Sequence, residues 1–223
     1  MRPLGYFLLS LLPVFAGCQV YTGPTSDMPV PPLRMQGEIQ VVNQRLQFRP
    51  CAEQRHFTLE DSGNTGILQE SMNLLNHGKG SLFADLSGNL VASKDSGTDG
   101  KIELTRLYRI QREGQGCKDL NFKRLTLRAS GHEPDWVINA GGKGMVLERP
   151  GQQALALPYL EEQLPEGRFN LSSDANGQHI ELWIAPQRCV DSMSGSVQHL
   201  SAELRLNGKV QHGCAYYGGA RQD

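Results

Sequence analysis

Chemistry in this chain concentrates at two places. His132-Glu133-Pro134-Asp135-Trp136 puts an imidazole, two carboxylates and an indole into one short run. Such a set could bind a metal or hold a polar ligand stacked on Trp136. The same residues also make a turn into a strand, with Pro134 setting the bend, Asp135 bonding backbone amides and Trp136 starting a core face. Ligands three residues apart on a bent loop rarely converge unaided, so the structural role is the expected one. The second place is Asp191-Ser192-Met193-Ser194-Gly195-Ser196, beside Cys189. A serine nucleophile needs a base within hydrogen-bond reach and an oxyanion donor. Met193-Ser194-Gly195 lacks the leading glycine of Gly-x-Ser-x-Gly, no Ser-x-x-Lys follows, and nothing fixes His199 or His212 near Ser194. A polar loop with Asp191 and the serines capping backbone groups is expected instead. His132, Glu133, Asp135, Trp136, Asp191 and Ser194 are therefore candidate ligand-binding residues, and no residue is assigned a catalytic role. A disulfide beside the second loop would draw it toward the C-terminal strand and could join the two places into one patch.

Cysteines set the covalent frame. Beyond Cys18 there are Cys51, Cys117, Cys189 and Cys214, an even number that an oxidising compartment would pair, with three connectivities open. Cys51–Cys117 with Cys189–Cys214 is the expected pairing, because each bond then staples one half of the chain. A four-ligand metal site is the rival, but no CxxC supplies the close ligand pairs that structural zinc sites use. Soft copper ligands fare no better: Met28, Met35, Met72, Met145 and Met193 form no Met-x-x-Met, and no His-x-His occurs. No metal ligand and no cofactor is assigned.

Upstream of all this, Met1-Arg2, the apolar run Leu4–Val14 and Phe15-Ala16-Gly17-Cys18 have the order of a secretory signal peptide, too short and wrongly flanked to span a membrane. Cys18 after Ala16-Gly17 resembles a bacterial lipobox, with Phe15 where that pattern prefers Leu. The resemblance implies that Cys18 is acylated, for example with palmitate, and becomes the mature N-terminus. Gln19 in place of Asp implies sorting to the outer membrane, facing the periplasm. Residues 18–35, rich in proline and without a period, are expected to form an extended tether.

From Gly37 the pattern turns to strands. Gly37–Val42, Arg45–Arg49 and His56–Glu60 are short extended segments broken by Asn43 and by Pro50-Cys51. Ile67, Leu68, Met72 and Leu75 recur at helical spacing and predict a helix over 67–76, ended by Asn76-His77-Gly78. Ser87-Gly88 predicts a hairpin turn between Ser81–Leu86 and Asn89–Ala92; after a polar loop, Ile102, Leu104, Tyr108 and Ile110 mark a longer strand. Three strands, a helix, then more strands is the order of an OB-type barrel. The run Gly37…Phe48-x-x-Cys51…Leu68-Gln69-Glu70…Leu82-x-Ala84-x-Leu86-x-Gly88 resembles the OB-like domain of the NlpE group of envelope lipoproteins. That group has copper-linked members, some with a CxxC that is missing here.

Past a glycine-flanked boundary at Glu113–Asp119, strand segments continue: Phe122–Arg128, Asp135–Asn139, Gly144–Arg149, Arg168–Ser172, Gln178–Ala185, Ala202–Leu206 and Lys209–Gly213. Asn176-Gly177 and Asn207-Gly208 are hairpin signals, and Pro158–Leu164 suits a short helical turn. Gly131-x-Glu133-Pro134-x-Trp136, Cys189-x-Asp191-x-Met193-Ser194 and Gly213-Cys214, in that order, resemble a group of uncharacterised bacterial envelope lipoproteins loosely akin to META/HslJ-like domains. This resemblance bears on fold and compartment rather than on activity. The expected architecture is mostly β: signal peptide 1–17, tether 18–35, an OB-like barrel with one helix over 36–117, and an antiparallel β domain over 118–223.

Composition narrows the function. Apolar content of 39% and charged content of 20% suit a folded soluble body, and the formal net charge of −1 is scattered without a basic stripe, which argues against nucleic acid. Lys123-Arg124 with Arg128 makes a short solvated run. No GxxxxGK[ST], dinucleotide fingerprint or HExxH occurs. The expectation is a lipid-anchored, non-catalytic envelope accessory or stress-linked binding module, with the membrane and an envelope protein as partners. The alternative is a ligand- or metal-binding periplasmic sensor.

Overall fold

Turn chemistry and alternation build the first sheet. The computed structural model describes residues 31–76, 78, 80–94 and 97–221; the expected signal peptide, Cys18 and most of the expected tether lie outside them. β1 (Leu33–Val42) and β2 (Arg45–Pro50) form a hairpin across Asn43-Gln44, both at positive φ, which sets Ile39 opposite Phe48. β1 thus begins within the expected tether. β3 (Phe57–Asp61) pairs antiparallel with β2.

Asp61 then accepts hydrogen bonds from the Thr65 and Gly66 amides at 2.8 Å each, fixing the entry to α1 (Ile67–Asn76). The helix buries Ile67, Ser71 and Leu74, a stripe at helical spacing. Leu68 and Met72, expected on the core face, are exposed instead, because the barrel receives the face centred on Ser71.

β4 (Leu82–Val91) and β5 (Gly100–Gln111) complete the barrel: β4 pairs with β1 and β5, and β5 runs parallel to β3. The ring β1-β2-β3-β5-β4 therefore closes on itself, as an OB-type barrel does. The hairpin expected at Ser87-Gly88 is not a turn. β4 runs straight through it, with register shifts against β5 at Asp85/Leu86 and Ser87/Gly88. A Cβ on Gly88 would sit 2.5 Å from the Glu103 carbonyl oxygen, so this glycine marks a bulge with close backbone approach. Ile39, Phe48, Leu86, Ile102, Leu104 and Ile110 fill the interior, each such side chain contributing roughly 1.5–3 kcal/mol by burial.

The second sheet is wholly antiparallel. Its strands are β6 (Leu125–Gly131), β7 (Trp136–Gly141), β8 (Gly144–Glu148), β9 (Leu155–Leu157), β10 (Leu160–Gln163), β11 (Phe169–Ala175) and β12 (Gln178–Ala185), and, after β13 (Cys189–Val190) and β14 (Val197–Gln198), β15 (Leu200–Leu206) and β16 (Lys209–Tyr217). Among the described residues the order is β10-β11-β12-β15-β16-β6-β7-β8-β9. Asn176-Gly177 and Asn207-Gly208 turn the chain with both residues at positive φ. Two segments depart from expectation. Residues 122–124 form a 3-10 turn ahead of β6, and the helical turn expected over 158–164 is the exposed strand β10, paired with β11.

β13 and β14 leave the second half and join the barrel sheet, where β14 pairs with β5: Val197 faces Ile110 and Gln198 faces Arg109. Val197 packs in the barrel core, and three residues later Leu200 packs in the core of the second sheet. The disulfides are Cys51–Cys117 and Cys189–Cys214. The second ties β13, in the barrel sheet, to β16, in the other. Residues from Pro31 onward form one unit by contacts.

Candidate functional site

The two chemistry-bearing loops meet. His132 and Asp135 sit on the β6–β7 turn, and Asp191 and Ser194 sit on the β13–β14 turn. His132 Nδ1 is 2.6 Å from Asp135 Oδ1, and its Nε2 is 2.9 Å from Asp191 Oδ2. Asp191 Oδ1 accepts from the Ser194 amide at 2.8 Å, the Met193 amide at 3.2 Å and the Ser194 hydroxyl at 2.7 Å. Ser196 Oγ lies 3.0 Å from Ser194 Oγ. Since a carboxylate can only accept, the Ser194 proton goes to Asp191 and the Ser196 hydroxyl donates to Ser194.

Charge is settled within this chain of bonds. The hydrogen bond to Asp135, and after it the bond to Asp191, hold the His132 imidazole above its ordinary value against partial burial. Burial pushes the Asp191 carboxyl up, but the Ser194 amide, the Ser194 hydroxyl and His132 together outweigh it and keep the group below the usual carboxylate range. The pair is therefore an ion pair in the weakly acidic range, joining two loops from opposite sheets.

What the arrangement can do follows from its order. A nucleophilic serine hands its proton to an imidazole, which a carboxylate orients. Here the carboxylate stands in the middle, with His132 on one oxygen and Ser194 on the other. Glu133 is exposed at φ 66, after which the Glu133–Pro134 peptide is cis. Trp136 is 1% exposed in the core of the second sheet, the core-face role expected of it, and offers no surface for a stacked ligand. Asp135 bonds the His132 ring rather than the backbone amides expected of it.

Beside this network lies a cavity of about 510 Å³ between β5, β14 and β16. Arg109, Arg128, Gln198 and Tyr216 share its wall with His132, Asp191, Ser194 and Ser196. The Arg109 guanidinium stacks 3.8 Å over the Tyr216 ring and lies 4.8 Å from the Phe83 ring. Sequence reasoning missed Arg109, Gln198 and Tyr216. The alternation Tyr108-Arg109-Ile110 reads as an outward, solvated arginine, and only the packing of β14 and β16 against β5 buries it.

Comparison with protein-family models, with curated proteins and with solved structures finds no match to this chain. The site is thus read from its own geometry. Among the described residues no group of three or more His, Cys, Asp and Glu side chains could hold a metal ion.

Proposed function

We propose that the chain is an outer-membrane-anchored periplasmic lipoprotein whose folded part is a non-catalytic envelope accessory, a stress-linked binding module. Cys18 carries the acyl chains, residues beyond it tether the β-rich body, and one face of that body engages an envelope protein or a small ligand. Diacylglyceryl and N-acyl chains together exceed the two signals needed for stable attachment. Kinship with the two lipoprotein groups named above belongs to this proposal. The observation that carries the binding part is the cavity beside the His132–Asp191 bridge, whose size falls in the range of ligand sites. The absence of catalysis is supported by Ser194, whose proton is directed to Asp191.

A sensor draws on the same cavity and is the second reading. Its metal-binding form has less support, given the donor groups among the described residues. Crosslinking of the tagged, lipidated protein in intact envelopes, with metal analysis and fractionation of Cys18→Ser, tests both. The accessory reading expects wild type in outer membranes with a reproducible protein partner, and Cys18→Ser released. A Cys18→Ser protein that fractionates like wild type removes the anchor. Stoichiometric metal without a partner replaces the accessory with a sensor.

A further inference from the structure

We propose that the cavity between β5, β14 and β16 binds a small organic carboxylate on the Nε and Nη2 atoms of Arg109, with a neighbouring N–H or O–H of the ligand donating to Gln198. The inference rests on the binding-module reading and names the ligand class of that site.

Arg109 is 4% exposed, and its Nε and Nη2 are closed to solvent and, among the described residues, without a hydrogen-bond partner. These two atoms form one edge of the guanidinium, the edge that grips a carboxylate with two parallel bonds. The chain shows the same edge filled elsewhere: Arg34 donates from Nε to Asp85 Oδ1 at 2.9 Å and from Nη2 to Asp85 Oδ2 at 2.8 Å. Arg109 stands opposite Asp85 in the β4–β5 register, but Arg34 occupies both carboxylate oxygens.

The acidic side chains of the cavity wall are engaged as well. Glu113 pairs with Arg112 at 2.8 Å, Asp119 accepts from the Asn121 amide at 3.0 Å, and Asp191 is held by His132 and Ser194. What remains unanswered, just behind the wall, is a cationic edge and one acceptor. Gln198, the cross-strand neighbour of Arg109, is 6% exposed, and its Oε1 also lacks a partner. A buried guanidinium edge that bonds no acceptor is costly, and burial depresses its proton affinity against the opposing pull of Tyr216, Asp85 and Asp119. A carboxylate removes that cost, and a donor beside it satisfies Gln198. Because the Arg109 edge is closed to solvent, binding requires its side chain to turn toward the cavity that it already walls.

N-acetylglycine carries a carboxylate beside an N–H, and its methyl ester lacks only the charge. In titrations of the full-length protein in detergent at constant ionic strength, N-acetylglycine should raise Tm with dose and shift the Arg109 Nε–H resonance, saturating at or below roughly 1 mM. The ester and sodium chloride should do neither, and Arg109→Met should abolish the Tm response. If Arg109→Met does not fold, the wild-type resonance, assigned with Arg109→Lys, reads the same interaction. A silent Arg109 resonance, an equal response to the ester, or a bond between Arg109 and Gln198 in the free protein overturns the proposal. A stronger response to inorganic phosphate overturns the carboxylate assignment. A silent titration alongside a reproducible envelope partner sinks this inference and leaves the broader reading standing.

Discussion

Consecutive residues on β5, at the end of β14 and on β16 part to opposite sides of the junction between the sheets, and the two sides differ in how they treat an arginine. On one side stand Tyr108, His199 and Tyr217, with ring centroids 5.0 and 4.9 Å apart along the series. Arg34 stacks 4.0 Å over Tyr108, grips Asp85 with two bonds and donates to the Tyr217 and Gly218 carbonyls. On the other stand Arg109, Gln198 and Tyr216, where the stacking is present but, among the described residues, the Nε and Nη2 edge bonds no acceptor. Strand alternation accounts for the separation. A half-buried cation with its acceptors supplied by the fold acts as a lock, whereas a buried one without them is poised to receive an anion.

The largest expected effect comes from breaking the lock. Arg34→Met leaves the Asp85 carboxylate, 0% exposed, with the Gln36 amide at 3.3 Å in place of the two short guanidinium bonds. Removing one partner of a buried pair costs about 3–5 kcal/mol, and urea unfolding should show a loss of that size. Arg109→Met in the ligand-free protein removes an unpaired buried charge and should stay within about 1 kcal/mol of wild type or stabilise it. Equal losses in the two variants would erase the distinction between the sides.

Next come the disulfides, which also differ by region. Their sequence separations of 66 and 25 correspond to loop-entropy contributions of roughly 4.3 and 3.5 kcal/mol. The sharper contrast is local. Cys189→Ser with Cys214→Ser frees β13 from β16, so amide exchange should rise over residues 191–198, whereas Cys51→Ser with Cys117→Ser should leave those amides protected. Exchange that rises equally in both double variants would mean that Cys189–Cys214 does not hold the Asp191 loop to the second sheet.

How far the sequence led follows from the range of each signal. Helix 67–76 and the hairpins at Asn176-Gly177 and Asn207-Gly208 were legible because their determinants are neighbours in the chain. The disulfide pairing was legible as a choice, but not its consequence: Cys189 and Cys214 both lie in the second half and yet join two sheets. Ser87-Gly88 misled because a glycine that admits a close backbone looks the same as one that turns. The meeting of His132 with Asp191 could be glimpsed from Cys189 beside one loop and Cys214 near the chain end. Arg109 could not. Its neighbours Gln198 and Tyr216 are distant in sequence, and nothing in the run Tyr108-Arg109-Ile110 says that a second sheet will cover it.

The smallest expected effect concerns the bridge that lines the cavity on the Arg109 side. His132 is held above its ordinary value by Asp135 first and Asp191 second, so the folded chain binds this proton more tightly than the unfolded chain, where it titrates near about 6.5. Its stabilisation is complete below that point and is lost as pH rises through the higher folded value. Asp191 has the opposite sign: its folded value is depressed, so its contribution is present above about pH 3.9 and fades as pH falls through the folded value. Stability should therefore peak between the two, where both groups are charged. The His132 side chain is 27% exposed, so the fall on the alkaline side should be on the order of 1 kcal/mol. His179, raised by its bond to Asp174, adds a fall of the same sign on the outer face of the second sheet. His179→Asn therefore serves as the background, and adding His132→Asn should flatten the remaining slope above neutrality. A slope that survives in the double variant would place the pH response elsewhere and reduce the bridge between the loops to a neutral contact.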